Sequence, residues 1–432
     1  MSNWNSTALK NCISYVIDNR GKNPKKYYRK NEFPVIDNYL IKNCIYPNLS
    51  NVNRYIDIET FNNFIRNYLQ KDDVLMTLVG NGIGNVSLAP SPKVAIIQNT
   101  IGLRTNETLL NKFLYYYFIS IQSNLLNLDR GSSQPSIKKT DLLEIGITLP
   151  PLPTQKTIAH ILGTLDDKIE LLRQMNETLE AKAKALFKSW FIDFDPVHKK
   201  EEGIPTGLPK EIEDLFPSEF EESELGEIPK GWKVGNLGEI SVLNPESWNE
   251  KNHPERILYL DLSNVKNNQI QNLEEFNYTT APSRARRVLK NNDTIIGTVR
   301  PGNRSYAFIK QNGLTGSTGF AVLRPNSKTH AEFLYLATTS NEMIDYYAHH
   351  ADGGAYPAIS PNFIFNQRYI ICPDSAMLVF HQYTNNLLSL VEINNTEIYS
   401  LSSLRDSLLP KLISGELEIT DKMVTQILET AK

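Results

Sequence analysis

Basic and amide side chains gather in the turns of two stretches of the sequence, residues 1–150 and 232–372. Arginine and lysine can bind phosphates or guanine edges, asparagine and glutamine can bind adenine edges, and glycine lets a backbone approach DNA closely. One such loop is as consistent with a solvated turn as with a nucleic-acid contact, but their recurrence in both stretches favours contact. The candidates in the first stretch are Arg20, Lys22, Lys25, Lys26, Arg29, Asn81, Asn85, Arg130, Ser132, Ser133 and Gln134. The candidates in the second stretch are Arg284, Arg286, Arg287, Arg300, Asn303, Arg304, Tyr306 and Tyr356.

Motifs for methyl transfer and for nucleotide hydrolysis are missing from the sequence. An adenine methyltransferase carries an Asn/Asp-Pro-Pro-aromatic motif, and Asn244-Pro245-Glu246 lacks both the second proline and the aromatic residue. The glycines of Gly80–Gly84 open no evident strand–helix unit, and no Gly-x-x-x-x-Gly-Lys-Ser/Thr loop for ATP is found. We therefore predict a non-catalytic chain that holds no cofactor of its own.

The carboxylate, histidine and cysteine residues also form no evident site. Asp166 and Asp167 fall on a helical stretch where charged flanks are expected, and the adjacent His349 and His350 would point in different directions. Three scattered cysteines lack metal-binding spacing, which indicates buried thiols in a reducing, cytoplasmic setting. No apolar run approaches the roughly 18 residues that span a bilayer. We expect neither a metal site nor a membrane segment.

The net charge of −3 is unevenly distributed along the chain. Residues 1–150 carry 17 basic against 11 acidic side chains, and residues 232–372 carry 14 against 12. Residues 195–231 carry 4 against 11. Positive charge therefore coincides with the basic loops, so part of the surface can bind phosphates although the chain is acidic overall.

The sequence resembles itself at an offset of about 220 residues, close to half its length. Lys71–Thr77 aligns with Asn291–Gly297, and Leu103-Arg104 aligns with Leu323-Arg324. A period this long is far outside the range of solenoid repeats and predicts two copies of a whole domain. Two such copies suit a ligand with two half-sites, or two identical partners.

A long helical pattern follows each copy, with mostly apolar residues alternating at four and three positions. This heptad spacing predicts that the two helices pair in a coiled coil, and packing of each helix on its own domain is the alternative. Thr154 is placed to cap the first helix, and Pro410 is placed to end or kink the second. The predicted pairing residues of the first helix are Ile158, Leu162, Leu165, Ile169, Leu172, Asn176, Leu179, Leu186 and Trp190. Those of the second helix are Phe380, Leu387, Val391, Asn394, Ile398, Leu401, Leu408 and Leu412.

Each predicted seam contains one asparagine, Asn176 or Asn394. A polar residue in a seam weakens packing but fixes the register of the two helices. Nearly forty residues per helix, at 1.5 Å each, give a rod of roughly 55–60 Å. That length exceeds one turn of DNA, so the rod could act as a ruler between two half-sites.

These patterns predict an α+β protein with two similar mixed α/β domains, each followed by a long helix, the two helices pairing antiparallel. We expect strands at Val74–Val79 and Thr294–Val299, and helices at Leu109–Gln122 and Ala331–Tyr347. The predicted organisation is a first domain at 1–150, a helix at 151–194, an exposed acidic, proline-rich crossover at 195–231, a second domain at 232–372, a second helix at 373–416 and a tail at 417–432. A short helix near Lys210–Phe216 is expected inside the crossover.

Three strings resemble the specificity subunits of type I restriction-modification systems. Residues 149–155 together with 185–197 resemble the central conserved helix of that family, and Leu225–Trp232 resembles the start of its second target-recognition domain. Leu404–Leu417 resembles the end of its C-terminal helix. The resemblance covers nearly the whole chain.

The resemblance implies double-stranded DNA with a bipartite target, each recognition domain binding one half and the helical spacer setting the gap. It also implies two methyltransferase subunits that use S-adenosylmethionine, and motor-nuclease subunits that use ATP and Mg. Base-reading residues cannot be carried over, because the recognition loops vary within the family. Two alternatives stay open: the recognition subunit of a related restriction-methylation enzyme outside type I, and a scaffold that joins partners through its heptads without DNA.

Overall fold

The computed structural model describes residues 4–21, 23–130, 134–420 and 422–425. The chain divides into two compact units. Unit 1 comprises residues 1–170 and 399–432, and unit 2 comprises residues 171–398. Each unit therefore contains one of the repeated domains together with parts of both long helices.

The domain of unit 1 is built on an antiparallel four-stranded sheet in the order β2-β7-β5-β6, with a separate β1-β8 pair and a short β3-β4 pair. Its strands are β1 Asn5–Ala8, β2 Ile13–Ile17, β3 Phe33–Pro34, β4 Tyr55–Ile56, β5 Val74–Thr77, β6 Val86–Leu88, β7 Thr100–Thr105 and β8 Gly146–Leu149. Its helices are α1 Ile58–Phe64, α2 Asn111–Ser120, α3 Gln122–Leu126 and α4 Lys139–Leu143. All four residues of β5 are buried, which explains why it reads as a continuous apolar run rather than an alternating one.

The chain then continues through α5 Leu152–Phe191, α6 Asp195–Glu201, α7 Lys210–Glu213 and the hairpin strands β9 Phe220–Ser223 and β10 Gly226–Pro229. Residues 195–231 were expected to form an exposed crossover, and that expectation is wrong for part of the segment. Val197, Ile212 and Phe216 are buried in the same apolar cluster as Trp190. The rings of Trp190 and Phe216 meet edge to face with centroids 5.2 Å apart. Apolar residues spaced irregularly among prolines and acidic residues gave no periodic signal for this burial.

The domain of unit 2 contains two four-stranded sheets, in the orders β12-β21-β18-β19 and β16-β13-β20-β17, and a β11-β22 pair. Its strands are β11 Lys233–Asn236, β12 Ser241–Leu243, β13 Arg256–Leu260, β14 Val265–Lys266, β15 Gln269–Ile270, β16 Glu274–Asn277, β17 Ala285–Leu289, β18 Thr294–Gly297, β19 Tyr306–Phe308, β20 Leu314–Ser317, β21 Phe320–Pro325 and β22 Arg368–Ile371. Its helices are α8 Ala331–Thr339, α9 Asn341–His349 and α10 Pro361–Phe365, and α11 Asp374–Ser414 follows.

The repeat seen in the sequence is also a repeat of topology. In unit 1 Val74 of β5 pairs with Leu103 of β7, and in unit 2 Thr294 of β18 pairs with Leu323 of β21, both 220 positions later. The β1-β8 pair of unit 1 likewise has a counterpart in the β11-β22 pair of unit 2. The copies differ in one respect: among the described residues, unit 2 has a second four-stranded sheet, β16-β13-β20-β17, that unit 1 lacks. The α+β fold class is confirmed.

The two long helices pair within both units, and the pairing is antiparallel. In unit 2 Asn176 of α5 bonds to Asn394 of α11, and Trp190, further along α5, meets Phe380, earlier on α11. In unit 1 Asp166 of α5 bonds to Arg405 of α11. None of the nine predicted pairing residues of α5 and none of the eight of α11 is exposed. Helix pairing is therefore confirmed over packing on the domains alone.

Several local expectations need correction. Thr154 does not cap α5 but lies inside it, because the helix already begins at Leu152. Pro153 is tolerated there, since the backbone N–H groups of a first helical turn have no partner within the helix. Pro410 lies inside α11 and does not end it, since the helix continues to Ser414. The stretch predicted as one helix at Ala331–Tyr347 is two helices, and the Ser340 side chain accepts a hydrogen bond from the backbone N–H of Met343 to cap the second.

The remaining expected elements lie close to their predicted positions. The strands predicted to reach Val79 and Val299 end at Thr77 and Gly297. Cys12 and Cys372 are buried and Cys44 is half-buried, all as free thiols. Neither long helix contains a stretch hydrophobic enough to span a bilayer, and the other helices among the described residues are too short.

Candidate nucleic-acid interface

Two loops lie side by side in unit 1, residues 80–85 and 130–136, and we call them the first paired loops; residues 131–133 are outside the described residues. The backbone N–H of Gly80 donates to the Pro135 carbonyl at 2.9 Å, and that of Ile137 donates to Leu78 at 2.8 Å. Gly80 and Gly84 have φ of 88° and 76°. Glycine adopts this left-handed region without steric cost, so the sequence suits the turn.

Unit 2 contains the same arrangement at residues 300–305 and 352–358, the second paired loops. The backbone N–H of Arg300 donates to the Pro357 carbonyl at 2.7 Å, and that of Ile359 donates to Thr298 at 2.9 Å. Arg300 and Arg304 have φ of 48° and 61°. They stand 220 positions after Gly80 and Gly84, so two arginines adopt the conformation that glycines adopt in the first copy.

Among the candidates near the start of unit 1, one arginine forms an ion pair with an aspartate and the other described cations are exposed. Arg20 is half-buried and donates to both carboxylate oxygens of Asp18, at 2.9 and 2.8 Å. These hydrogen bonds hold the pKa of Asp18 well below its ordinary value. Lys25, Lys26 and Arg29 are exposed, and the Lys26 ammonium lies 4.5 Å from the Tyr28 ring centroid. Lys22 lies outside the described residues.

The candidates in the first paired loops also differ in accessibility. Asn81 and Gln134 are exposed, whereas Asn85 donates to the Ile41 carbonyl and accepts from Gln122, so its amide is used inside the domain. Arg130 is exposed and lies 2.9 Å from a carboxylate oxygen of Asp141. Ser132 and Ser133 fall outside the described residues.

Three arginines of unit 2 follow one another on and beside β17. Arg284 is exposed, and its guanidinium lies 2.9 Å from Asp261. Arg286 is half-buried with its guanidinium 4.7 Å from the Tyr278 ring centroid. Arg287 is half-buried, and its Nε is buried without a hydrogen-bond partner among the described residues. Burial lowers the pKa of Arg287 because it disfavours the charged form. Keeping the unpartnered Nε buried therefore lowers the stability of the fold.

The candidates in and next to the second paired loops have separate environments. Arg300 and Asn303 are exposed, and Tyr356 is 70% exposed. Arg304 is half-buried and donates to Asn341 at 2.6 Å and to Asp345 at 2.8 Å. Tyr306 is a correction, because it is only 2% exposed in the core and burial raises its pKa to about 12. In the sequence Tyr306 is a candidate because it follows directly on the basic loop at residues 300–305.

In unit 2 the predicted seam residues of the two helices form amide hydrogen bonds at one place and an aromatic cluster at another. Asn394 Nδ2 donates to Asn176 Oδ1 at 2.8 Å, and Asn176 Nδ2 donates to Asn395 Oδ1 at 2.9 Å. Trp190 and Phe380 are buried together in an aromatic cluster. The remaining predicted seam residues of this unit are buried or half-buried: Leu172, Leu179, Leu186, Leu387, Val391 and Ile398.

In unit 1, apolar seam residues join the core of the domain. Ile158 and Leu162 of α5 share one buried cluster with Leu412 of α11, and Leu408 packs against it. Ile169 is buried, and Leu165 and Leu401 are half-buried. The cluster also contains residues of the sheet and of α2, so the helix ends are part of this domain's core.

Two buried polar networks were not predicted from the sequence. In unit 1 the Tyr116 hydroxyl and Arg405 both donate to Asp166, at 2.8 and 2.6 Å. Burial disfavours the charged form of Arg405, but Asp166 beside it holds its pKa above the ordinary value. In unit 2 the fully buried Glu332 lies 2.5 Å from His381 and 3.5 Å from Lys310. Each network joins residues far apart in sequence, which no local spacing reveals.

Within residues 4–21, 23–130, 134–420 and 422–425, no group of three or more histidine, cysteine, aspartate or glutamate residues could hold a metal ion.

Comparison with known proteins gives a consistent result. Residues 1–181 match the family described as type I restriction modification DNA specificity domain. The chain is 27% identical over 353 residues to the type I restriction enzyme MjaIX specificity subunit of Methanocaldococcus jannaschii, covering 78% of this chain and 76% of that protein. It is 22% identical over 409 residues to the HindI specificity subunit of Haemophilus influenzae, covering 81% and 87%.

The chain is similar to type I restriction-modification specificity subunits over about four-fifths of its length. A solved specificity subunit from M. genitalium has the same fold, with a TM-score of 0.55 and 15% identity, over 95% of this chain and 96% of that one. The resemblance inferred from the three sequence strings is thus confirmed.

Proposed function

We propose that this specificity subunit binds a bipartite target in double-stranded DNA, each domain reading one half. The observation that carries the proposal is the backbone frame shared by the two sets of paired loops. The same two hydrogen bonds hold each set, while the side chains at equivalent places differ, as Gly80 and Gln134 do from Arg300 and Tyr356. A common frame with different side chains suits two half-sites of different sequence.

The paired long helices are proposed to set the gap between the half-sites and to dock two methyltransferase subunits. Exposed apolar side chains beside the unit 2 seam support docking. Leu171 and Met175 are 51% and 44% exposed, and Leu390 and Ile393 are 47% and 60% exposed. Residues three or four apart share a helix face, and contiguous exposed apolar side chains typically mark interaction surfaces.

The chain itself is proposed to be non-catalytic and to act in the cytoplasm. S-adenosylmethionine would be bound by the methyltransferase subunits, and ATP and Mg by motor-nuclease subunits. Purified chain incubated with labelled S-adenosylmethionine and DNA should transfer no methyl group; transfer without an added subunit would contradict this part of the proposal.

A domain exchange tests target recognition. Residues 1–150 are replaced by the first domain of a relative with a different target, and the hybrid is expressed with its methyltransferase subunit in cells that lack adenine methylation. Sequencing of methylated bases should show one half of the motif changed and the other half retained. A change in both halves, or DNA methylation that needs no target sequence, would overturn the proposal.

A further inference from the structure

The second paired loops present an exposed arginine in a conformation that favours glycine. Arg300 has φ of 48°, and its counterpart Gly80 has φ of 88°. A non-glycine residue in this region is sterically disfavoured, and such residues persist where surrounding structure holds them and often where function needs them. The fold does not require an arginine here, since the first copy makes the same turn with glycine.

The Arg300 side chain is held on the surface rather than buried in an ion pair. Its guanidinium carbon lies 4.4 Å from the centroid of the Tyr356 ring. Nη2 donates to the Ala355 carbonyl at 2.7 Å, and Nε lies 3.3 Å from the same oxygen. The planar guanidinium is therefore oriented by a ring and a backbone oxygen, both uncharged.

Arg304 shows what a structural arginine looks like in the same loop. It also has positive φ, but its guanidinium is engaged by Asn341 and Asp345 and is half-buried. Strain at Arg304 is thus accompanied by an internal ion pair. Among the described residues Arg300 contacts the Ala355 carbonyl and the Tyr356 ring and forms no ion pair, so its positive charge is available to a ligand.

The equivalent place in unit 1 has a different polar group. Gln134 stands 222 positions before Tyr356, and its Nε2 is the nearest atom to a Cβ built on Gly80, at 3.3 Å. The same pair of positions therefore brings together a glycine and a glutamine in one domain, and an arginine and a tyrosine in the other. The two domains therefore share the backbone arrangement at these positions but differ in the side chains, as expected for positions that contact different bases.

We propose that Arg300 reads a guanine in the half-site bound by unit 2, with Tyr356 holding its guanidinium in place. Arginine recognises guanine by donating two hydrogen bonds to O6 and N7 in the major groove, which needs an oriented, exposed guanidinium. A charge that only bound phosphate would need no fixed plane. The inference rests on the proposed DNA recognition and assigns it a specific residue.

The test is selection of duplexes from a random-sequence pool by the complex of the chain with its methyltransferase subunit. The variants are Arg300→Gly and Arg300→Lys. The first introduces the residue found at the equivalent position of unit 1, and the second keeps the positive charge but lacks the paired donors of the guanidinium. Both should reduce discrimination at one guanine of one half-site by about tenfold and leave the other half-site unchanged. Tyr356→Ala should weaken discrimination at the same guanine.

Arg256→Ala is the matched control, since this exposed arginine of unit 2 pairs with Glu275 and lies outside both paired loops. It should leave the selected motif unaltered. Thermal unfolding of Arg300→Gly should match or exceed that of the parent chain, because glycine relieves the backbone conformation.

The outcomes separate the two proposals. If the parent complex selects no motif, DNA recognition itself fails, and the inference fails with it. If the parent complex selects a bipartite motif and Arg300→Gly selects the same one, recognition stands and the role of Arg300 is wrong. If Arg300→Gly weakens binding equally for all sequences and Arg300→Lys restores it, Arg300 binds phosphate and the guanine assignment is overturned.

Discussion

Arg104 donates two hydrogen bonds to the buried carboxylate of Asp73, from Nε at 2.9 Å and from Nη2 at 2.8 Å. In the second domain Arg324 bonds to Asp293 in the same way, at 2.8 and 2.9 Å. Each pair joins a strand, β7 or β21, to the residue just before its neighbour, β5 or β18, and the two pairs stand at the 220-residue offset. Burial raises the pKa of Asp293, while the hydrogen bonds from Arg324 act in the opposite direction.

Replacing Arg104 by methionine should destabilise unit 1. The side chain of Asp73 is 1% exposed, and removing one partner of a buried ion pair costs about 3–5 kcal/mol because a charge is left uncompensated. Chemical denaturation measures the loss. Lys10→Met, which removes a surface pair with Glu144, should cost less than about 1 kcal/mol. Equal small losses in both variants would show that the Arg104 pair is not structural.

Asp18 should make unit 1 sensitive to acid. Hydrogen bonds from Arg20 lower its pKa below the ordinary 3.8, so the stabilisation is present above that value and is lost as the pH falls below it. Asp18→Asn should therefore lower the free energy of unfolding by about 1–2 kcal/mol at pH 7, with a difference that shrinks toward pH 3. Glu144→Gln is the exposed control. A difference that stays constant with pH would refute the assignment.

The Asn176–Asn394 pair should behave as a register device rather than a source of stability. Asn176→Leu alone leaves Asn394 without its partner in the seam and should cost about 1–3 kcal/mol. Adding Asn394→Leu should recover much of that loss, because two leucines pack well in a heptad seam. In complex with the methyltransferase subunit, the double variant should then direct methylation to targets with more than one gap length. A single retained gap would mean that register is fixed elsewhere.

Lengthening the helical spacer should widen the gap between half-sites. Four residues inserted after Glu177 add about 6 Å of helix and just over one turn, a change that local unwinding can absorb. The gap in the methylated motif should grow by one or two base pairs, with the bases read unaltered. Full methylation at the original gap would show that the helices do not set the spacing.

Leu390 and Ile393 should be needed for binding of the methyltransferase subunit. Changing both to aspartate places charge on an exposed apolar face and should weaken co-purification of that subunit by tenfold or more, without lowering stability. Tyr399→Asp is the matched control, since this residue is 74% exposed and lies half a turn around the helix from Leu390. Equal binding by all variants would remove this face from the docking surface.

The sequence predicted the features that leave a regular spacing or a repeat in the residues, and it missed the features that depend on contacts between distant segments. The seam positions were found because heptad spacing is periodic, and the domain repeat because Asp73 and Arg104 recur as Asp293 and Arg324. Asn85 and Tyr306 were misjudged because their partners lie in other segments, at Ile41 in one case and in the domain core in the other. Burial of Phe216 in the crossover was missed for the same reason: contacts distant in sequence decide it.

Unit 1 is assembled from two ends of the chain, and this affects the order in which it can form. Asp166 receives its arginine from position 405, and the core around Ile158 and Leu162 is completed by Leu409, Leu412 and Ile413. During synthesis the first domain leaves the ribosome more than two hundred residues before these partners do. A chain interrupted before Arg405 would keep an open apolar face beside Ile158, so only a chain translated through α11 closes its first domain.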